Sequence, residues 1–245
     1  MRINKYLTEH GYCSRREADR LIEAGKVFIN GKHAKLGDQV EEKAIVKIAG
    51  QKVVGVSRKV YIMYNKPFGV TCTSDKAVRN NIVDAVNHPL RIFPIGRLDK
   101  ESTGLIFLTN DGDIVNKILR AQYGHEKEYI VEVRKTFTDD FIKKMSSGVN
   151  IGGYTTKSCT VTKINNKSFS IILTEGKNRQ IRRMCEILGN DVKSLQRIRI
   201  MNVKLMPFLL PGMWKDIPKP VLTSLKQLIK KQTTDVPEKD LDDEE

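Results

Sequence analysis

Two short stretches of this 245-residue chain carry residue types that could do chemistry. The first is Pro94-Ile95-Gly96-Arg97-Leu98-Asp99, followed by the small residues Ser102-Thr103-Gly104 and an apolar run. An acid between a basic loop and an apolar strand is a candidate for a positioned carboxylate. An aspartate in a loop also reads as an ordinary cap or turn residue, and spacing alone leaves both readings open. The second stretch runs from Glu175 to Arg183, with Lys177, Arg179, Arg182 and Arg183 supplying four positive charges at the start of a helix. Contact with a phosphate backbone is the direct functional reading. The alternative, a solvated basic helix start, runs against the preference of that helix end for anions. The mismatch favours an anionic partner or a buried carboxylate.

Composition narrows the partner. Lys and Arg number 43 against 29 Asp and Glu, a net charge of +14. Residues 233–245 hold seven acids and one lysine, so the rest of the chain is more basic still, with 42 bases against 22 acids. A body that basic suits a polyanion, and nucleic acid is the commonest one; a generically basic protein is the alternative. The acidic stretch 232–245 reads as a solvated, disordered tail. Cys13, Cys72, Cys159 and Cys185 contain no CxxC pair, and the four histidines are equally scattered, so neither a metal site nor a disulfide framework is expected. No run approaches the ~18 apolar residues of a membrane span. The segment MRINKYLTEHGY lacks the apolar centre of a secretory signal, and a cytoplasmic location is expected. There is no GxGxxG and no GxxxxGK[ST], so a nucleotide-cofactor fold is not supported.

The elements that must hold these residues fall into two groups. Residues 1–50 read as a small α-then-β unit. Ile3–His10 is a short helix ended by Gly11. Ser14-Arg15-Arg16-Glu17 has the form of a capping box, in which serine hydroxyl and glutamate carboxylate each accept from the other's amide. Ala18, Leu21 and Ile22 give the helix that follows one apolar face. Val27–Ile29 is a strand, Asn30-Gly31 a hairpin turn, and Ile45–Ile48 a further strand. Arg15, Arg16 and Arg20 can line one side of the second helix, with Lys26 and Lys32 at the strand and turn beyond. Residues 51–59 read as a linker.

Residues 60–231 form a larger mixed region. Strands are expected at Val60–Tyr64, Leu105–Thr109, Lys127–Val133, Ser158–Ile164, Phe169–Thr174 and Val192–Arg197. Helices are expected at Asn81–Val86, Ile114–Arg120, Asp139–Ser146, Gln180–Leu188 and Val221–Lys231. Many strands with few helices between them predict an α+β fold with a mostly antiparallel sheet. Trp214, Phe68 and Phe93 read as packing or loop-anchoring residues.

The sequence also carries resemblances. RINKYLTEHGYCSRREADRLIEAGKVFINGK resembles the S4-like RNA-binding domain, which implies RNA binding through the capped helix and the loop after it. GRLDKESTGLIFLTNDG is similar to the catalytic motif of pseudouridine synthases of the RsuA/RluB/RluE/RluF group. NKPFGV, HEKEYIVEV and EGKNRQIRRMCEILG look like that group's accompanying motifs in their usual order. The runs NNIVDAVNHPLRIFPIGRLDK and RIMNVKL point to the type acting on large-subunit (23S) ribosomal RNA. The resemblance spans residues 2–225. It implies that Asp99 is the catalytic carboxylate and that Tyr129 stacks on the target base and takes part in proton transfer at C5. It also implies that Arg182 pairs with Asp99 and keeps it charged, and that Ile181 packs against the base or the tyrosine. Arg97, Lys127 and Arg179 would position RNA.

That chemistry suits the residue types. The C1′–N1 bond breaks, the uracil turns, and C1′ is rejoined through C5. No redox change or added group is involved, so neither cofactor nor metal is expected. An arginine can pair bidentately with the carboxylate, and an aromatic platform replaces stacking lost by the extruded base, at about 1–3 kcal/mol. Asp99 could attack C1′ or remove a ribose proton. Monomeric action on ribosomal RNA, with no membrane partner, is expected. A non-catalytic S4-like ribosome-assembly factor and a synthase for 16S ribosomal RNA are the competing readings.

Overall fold

The computed structural model describes residues 1–55, 58–119 and 123–234. Within them the chain divides into two compact units: residues 1–60 with 88–92 and 110–112, and the remainder from Tyr61 onward.

In the first unit the local signals act where they stand. Helix α1 (Ile3–Glu9) and helix α2 (Arg15–Glu23) pack through Ile3, Leu7, Ala18 and Ile22, all buried. Ser14 caps α2, its hydroxyl accepting from the Glu17 amide at 3.1 Å. The second half of the expected capping box is replaced: the Glu17 carboxylate faces Arg20 Nη1 at 3.4 Å instead. Strands β1 (Val27–Ile29) and β2 (Lys32–His33) form the hairpin, with Asn30 and Gly31 at φ +50° and +81°, as a tight primed turn requires. Strands β3 (Val46–Ile48) and β4 (Gln51–Lys52) complete a sheet of order β2-β1-β3-β4. β4 and the buried Val53 occupy part of the stretch read as a linker from residue 51. Gln51 and Lys52 are both exposed, so no apolar pattern marked them; pairing with β3 makes the strand.

The second unit is built on β5 (Tyr61–Lys66), α3 (Ile82–Val86), β6 (Phe93–Ile95), β7 (Thr103–Thr109), α4 (Gly112–Leu119), β8 (Lys127–Val133) and α5 (Asp139–Ser147). β9 (Thr160–Asn165), β10 (Ser168–Leu173), α6 (Gln180–Ile187), β11 (Val192–Ile200), β12 (Val203–Lys204), β13 (Trp214–Asp216) and α7 (Lys219–Thr234) follow. The sheet runs β13-β5-β7-β11-β8-β10-β9, with β6 beside β7 and β12 beside β11. Its named strand pairs are antiparallel apart from β7 with β11. This is the mostly antiparallel α+β sheet expected. At the parallel pair Gly104 lies opposite Arg197 with φ +100°, and a β-carbon there would collide with the Arg197 backbone. Only glycine allows this approach.

One face of the sheet buries Met63, Leu105 and Phe107 together with Ile114 and Ile118 of α4 and Leu225 and Ile229 of α7. Helix α7 (Lys219–Thr234) continues three residues past its expected end at Lys231, because no Gly or Pro follows Pro220 of its first turn within that span. The remainder of the expected tail, 235–245, lies outside the described residues. Phe68 is not an anchor: it is 70% exposed, on the turn after β5. Trp214 is partly buried, paired with Tyr64 across β13 and β5.

Candidate active site

Asp99 sits on the loop between β6 and β7. A buried ammonium clamps that loop. Lys66, at the end of β5, is fully buried, and its Nζ donates to the carbonyls of Pro67 at 2.9 Å, Lys100 at 3.3 Å and Ser102 at 2.7 Å. Burial lowers the pKa of this lysine, against the opposing pull of Cys72, Glu101 and Asp99. The Gly69 amide also donates to Lys100 O, at 2.9 Å, and the Ser102 amide to Asp99 O, at 3.0 Å. Asp99 is thus fixed from both sides, with its carboxylate 31% exposed.

Helix α6 brings the counter-charge. Its first residues are held by Glu175, a buried carboxylate that accepts from Tyr154 Oη at 2.5 Å, Gln180 Nε2 at 2.7 Å and the Lys157 amide at 3.0 Å. The bond raises the Tyr154 phenol pKa. Gln180 Oε1 in turn accepts from the Lys177 amide, and Arg179 enters the helix at φ +50°. This register turns Ile181 and Arg182 inward; both are buried. Arg182 Nη2 donates to Glu101 O at 3.4 Å and Ser102 Oγ at 3.3 Å, while its Nε stands 4.0 Å from Asp99 Oδ2. The pairing with Asp99 is therefore a single loose contact, not the bidentate fork expected, because the other end of the guanidinium is engaged by the loop itself. Arg182 Nε has no hydrogen-bond partner among the described residues.

Strands β8 and β11 supply the sheet side. Alternation puts Lys127 and Tyr129 of β8 on one face, and Tyr129 lies opposite Arg197 of β11. Asp99, Arg182, Ile181, Tyr129, Lys127, Arg97 and Arg179, the residues to which the resemblance gave roles, line one cleft of about 970 Å³; Arg183 does not and donates to the Ile151 carbonyl instead. Arg97 and Arg179 are exposed on it, Arg179 paired with Glu101 at 3.0 Å. Burial, and the charge of Arg197, bring the Lys127 ammonium down to about 8. The remaining candidates, Arg15, Arg16, Arg20, Lys26 and Lys32, belong to the other unit and are all exposed there.

Three residues escaped sequence reasoning. Lys66 and Glu175 stand inside the motifs NKPFGV and EGKNRQIRRMCEILG without an assigned role, since nothing in the sequence marks them as buried. Arg197 had a signal: it is a base two residues after Leu195 on an alternating strand, both buried. The arrangement offers a fixed carboxylate, an adjacent guanidinium and an aromatic wall along one cleft.

Comparison with known proteins points the same way. Residues 60–187 match the RNA pseudouridylate synthase family and residues 1–53 the S4 domain. The chain is 53% identical over 238 residues to the dual-specificity RNA pseudouridine synthase RluF of Escherichia coli K12, covering 96% of this chain and 82% of that one. It is 33% identical to the uncharacterized RNA pseudouridine synthase YtzG of Bacillus subtilis, over 93% of this chain and 99% of that one. A crystal structure of a pseudouridylate synthase superposes with TM-score 0.67 at 25% identity, covering 93% of this chain and 99% of that one.

Proposed function

The chain belongs to the RNA pseudouridylate synthase family, and from that premise we propose that it converts uridine in 23S ribosomal RNA to pseudouridine, without a cofactor, using Asp99. The observation that carries the reading is the meeting in one cleft of Asp99, Arg182 at 4.0 Å and the buried Tyr129. The enzyme is an RNA pseudouridine synthase, so the non-catalytic assembly-factor reading is set aside. The large-subunit target rests on the resemblance of the runs NNIVDAVNHPLRIFPIGRLDK and RIMNVKL to the type acting on 23S ribosomal RNA. That relative is named dual-specificity, so a second RNA target belongs in the test.

The proposed mechanism assigns each of these residues a step. The extruded uridine enters the cleft with its base against Tyr129 and Ile181. The Asp99 carboxylate, fixed by the loop, acts on the ribose, either attacking C1′ or removing a sugar proton. Arg182 offsets its charge at 4.0 Å. In either case the C1′–N1 bond breaks, the base turns, and C1′ bonds to C5. Tyr129 lies on the base's side of the cleft and moves the C5 proton. The exposed Arg97 and Arg179 hold the backbone outside. On the first unit, the exposed Arg15, Arg16, Arg20, Lys26 and Lys32 contact the RNA.

The test is a pseudouridine map of ribosomal and transfer RNA from cells with and without the protein, joined to the purified Asp99→Asn variant. The expected result is at least one 23S uridine that loses modification and is restored by the wild-type protein only. Loss of a 16S site instead would reassign the target. An Asp99→Asn protein with the wild-type rate would overturn the catalytic assignment.

A further inference from the structure

Two cations on the sheet side of the cleft have no role in the scheme above. Arg197 is 3% exposed. Its Nε donates to the Leu105 carbonyl at 2.7 Å, while its buried Nη2 has no hydrogen-bond partner among the described residues. Lys127 is close enough for the Arg197 charge to depress its own. The Lys127 Nζ makes one long contact, 3.4 Å, to the His125 carbonyl. No carboxylate lies within ion-pair distance of either among the described residues. Burying Arg197 beside the half-buried Lys127 without an anion is unfavourable unless something entering the cleft completes them.

The position selects what that is. The exposed bases Arg97, Lys100, Lys177 and Arg179 also line the cleft and suit phosphate groups. Arg197 is buried in the central strand, opposite Tyr129, and lies too deep for a backbone that stays outside. A base rotated into the cleft reaches that depth.

We propose that Arg197 and Lys127 hold the uracil while it is detached, donating to the carbonyl oxygens that carry its negative charge. The inference rests on the functional reading above and adds a step to it. Whichever role Asp99 plays, the electron pair of the C1′–N1 bond leaves with the ring. The uracil becomes an anion, with its charge spread over N1, O2 and O4. After the turn, C5 supplies the pair for the C1′–C5 bond, and the C5 proton ends on N1. Uridine and pseudouridine are isomers, so nothing is consumed. The charge develops as the bond breaks, so donors already in place stabilise the transition state more than the bound substrate.

The test is single-turnover kinetics on an RNA fragment carrying the mapped target as uridine or as 5-fluorouridine, read as loss of the starting nucleoside, because fluorine leaves C5 no proton to release. Fluorine withdraws charge from the departing ring and lessens the need for the two cations. With uridine, Arg197→Met is expected to slow nucleoside conversion about 100-fold or more, the scale of losing one preorganised donor. With 5-fluorouridine the loss should shrink to about 10-fold, and RNA affinity should change less than about threefold in both cases. Lys127→Met should show the same pattern at smaller size, with Lys127→Arg restoring the rate; this pair carries the test should Arg197→Met fail to fold. Equal losses on the two bases, or weaker RNA binding with an unchanged rate, would overturn the inference alone. A wild-type protein that forms no pseudouridine would overturn the functional reading and the inference with it.

Discussion

Replacing Lys66 with methionine tests whether a buried ammonium sets the position of Asp99. The change keeps the length of the side chain and removes the charge and three donors. The Ser102 carbonyl, 2.7 Å away in a buried bond, would be left unsatisfied, at about 1–3 kcal/mol. The Pro67 and Lys100 carbonyls sit in partly buried bonds and can turn toward water, so each costs less, about 0.5–1 kcal/mol. Relief from holding a charge out of water offsets part of this. The net loss is about 2–3 kcal/mol, or roughly 5–10 °C in Tm at about 2–4 °C per kcal/mol for a domain of this size. Activity should fall further than stability explains, because a loop displaced by ~1 Å can cost about 100-fold in rate. Urea unfolding gives the first number, and single-turnover pseudouridine formation well below the melting temperature gives the second. A Lys66→Met protein within about 0.5 kcal/mol of wild type and with its normal rate would refute the clamp.

Other expectations follow from the same structure. Asp99→Asn should abolish pseudouridine formation while RNA affinity in a binding titration stays within about threefold, since neutralising the carboxylate removes the reacting group and no cation. If the Lys127 charge serves the reaction, the rate should fall as pH rises through about 8, where that ammonium loses its proton, and Lys127→Arg should flatten the profile above it. A rate still rising smoothly to pH 9.5 would contradict this. Gly104→Ala should destabilise by more than about 3 kcal/mol in urea unfolding, combining φ +100° with a clash against the Arg197 backbone. Replacing Arg15, Arg16 and Arg20 together with alanine should weaken RNA binding. The slope of log affinity against log salt should also become shallower, by ~0.7–0.9 for each phosphate these arginines neutralise. An unchanged slope would remove that helix from the RNA surface.

Much of the fold was legible because its determinants are local. Ser14 caps α2 from the adjacent residue, Asn30-Gly31 turns the hairpin by its own dihedral preference, and Lys127–Val133 alternates as a strand must. The motif around Asp99 and the charges from Lys177 to Arg183 likewise mark a candidate carboxylate and basic residues, and the structure brings Asp99 and Arg182 together. What stayed hidden has distant causes. β13 is three residues whose strand state comes from pairing with β5, about 150 residues earlier. Lys66 and Glu175 look like ordinary surface charges in the sequence, since burial depends on which segments close over them; Arg197 is marked only by its alternation with Leu195. The loose contact of Arg182 with Asp99 depends on how Ser102 and the Glu101 carbonyl engage the same guanidinium.

The order of residues along the chain was enough to name the candidates, an aspartate, a tyrosine and a set of arginines, and the local elements that carry them. Their arrangement came from packing in three dimensions. The parallel pairing of β7 with β11 brings Gly104 against Arg197, and β8 beside β11 sets Tyr129 opposite that arginine. Those contacts join segments tens of residues apart, so no periodicity or turn signal encodes them. Long-range pairing and burial turn a basic strand residue into a buried cation lining the cleft.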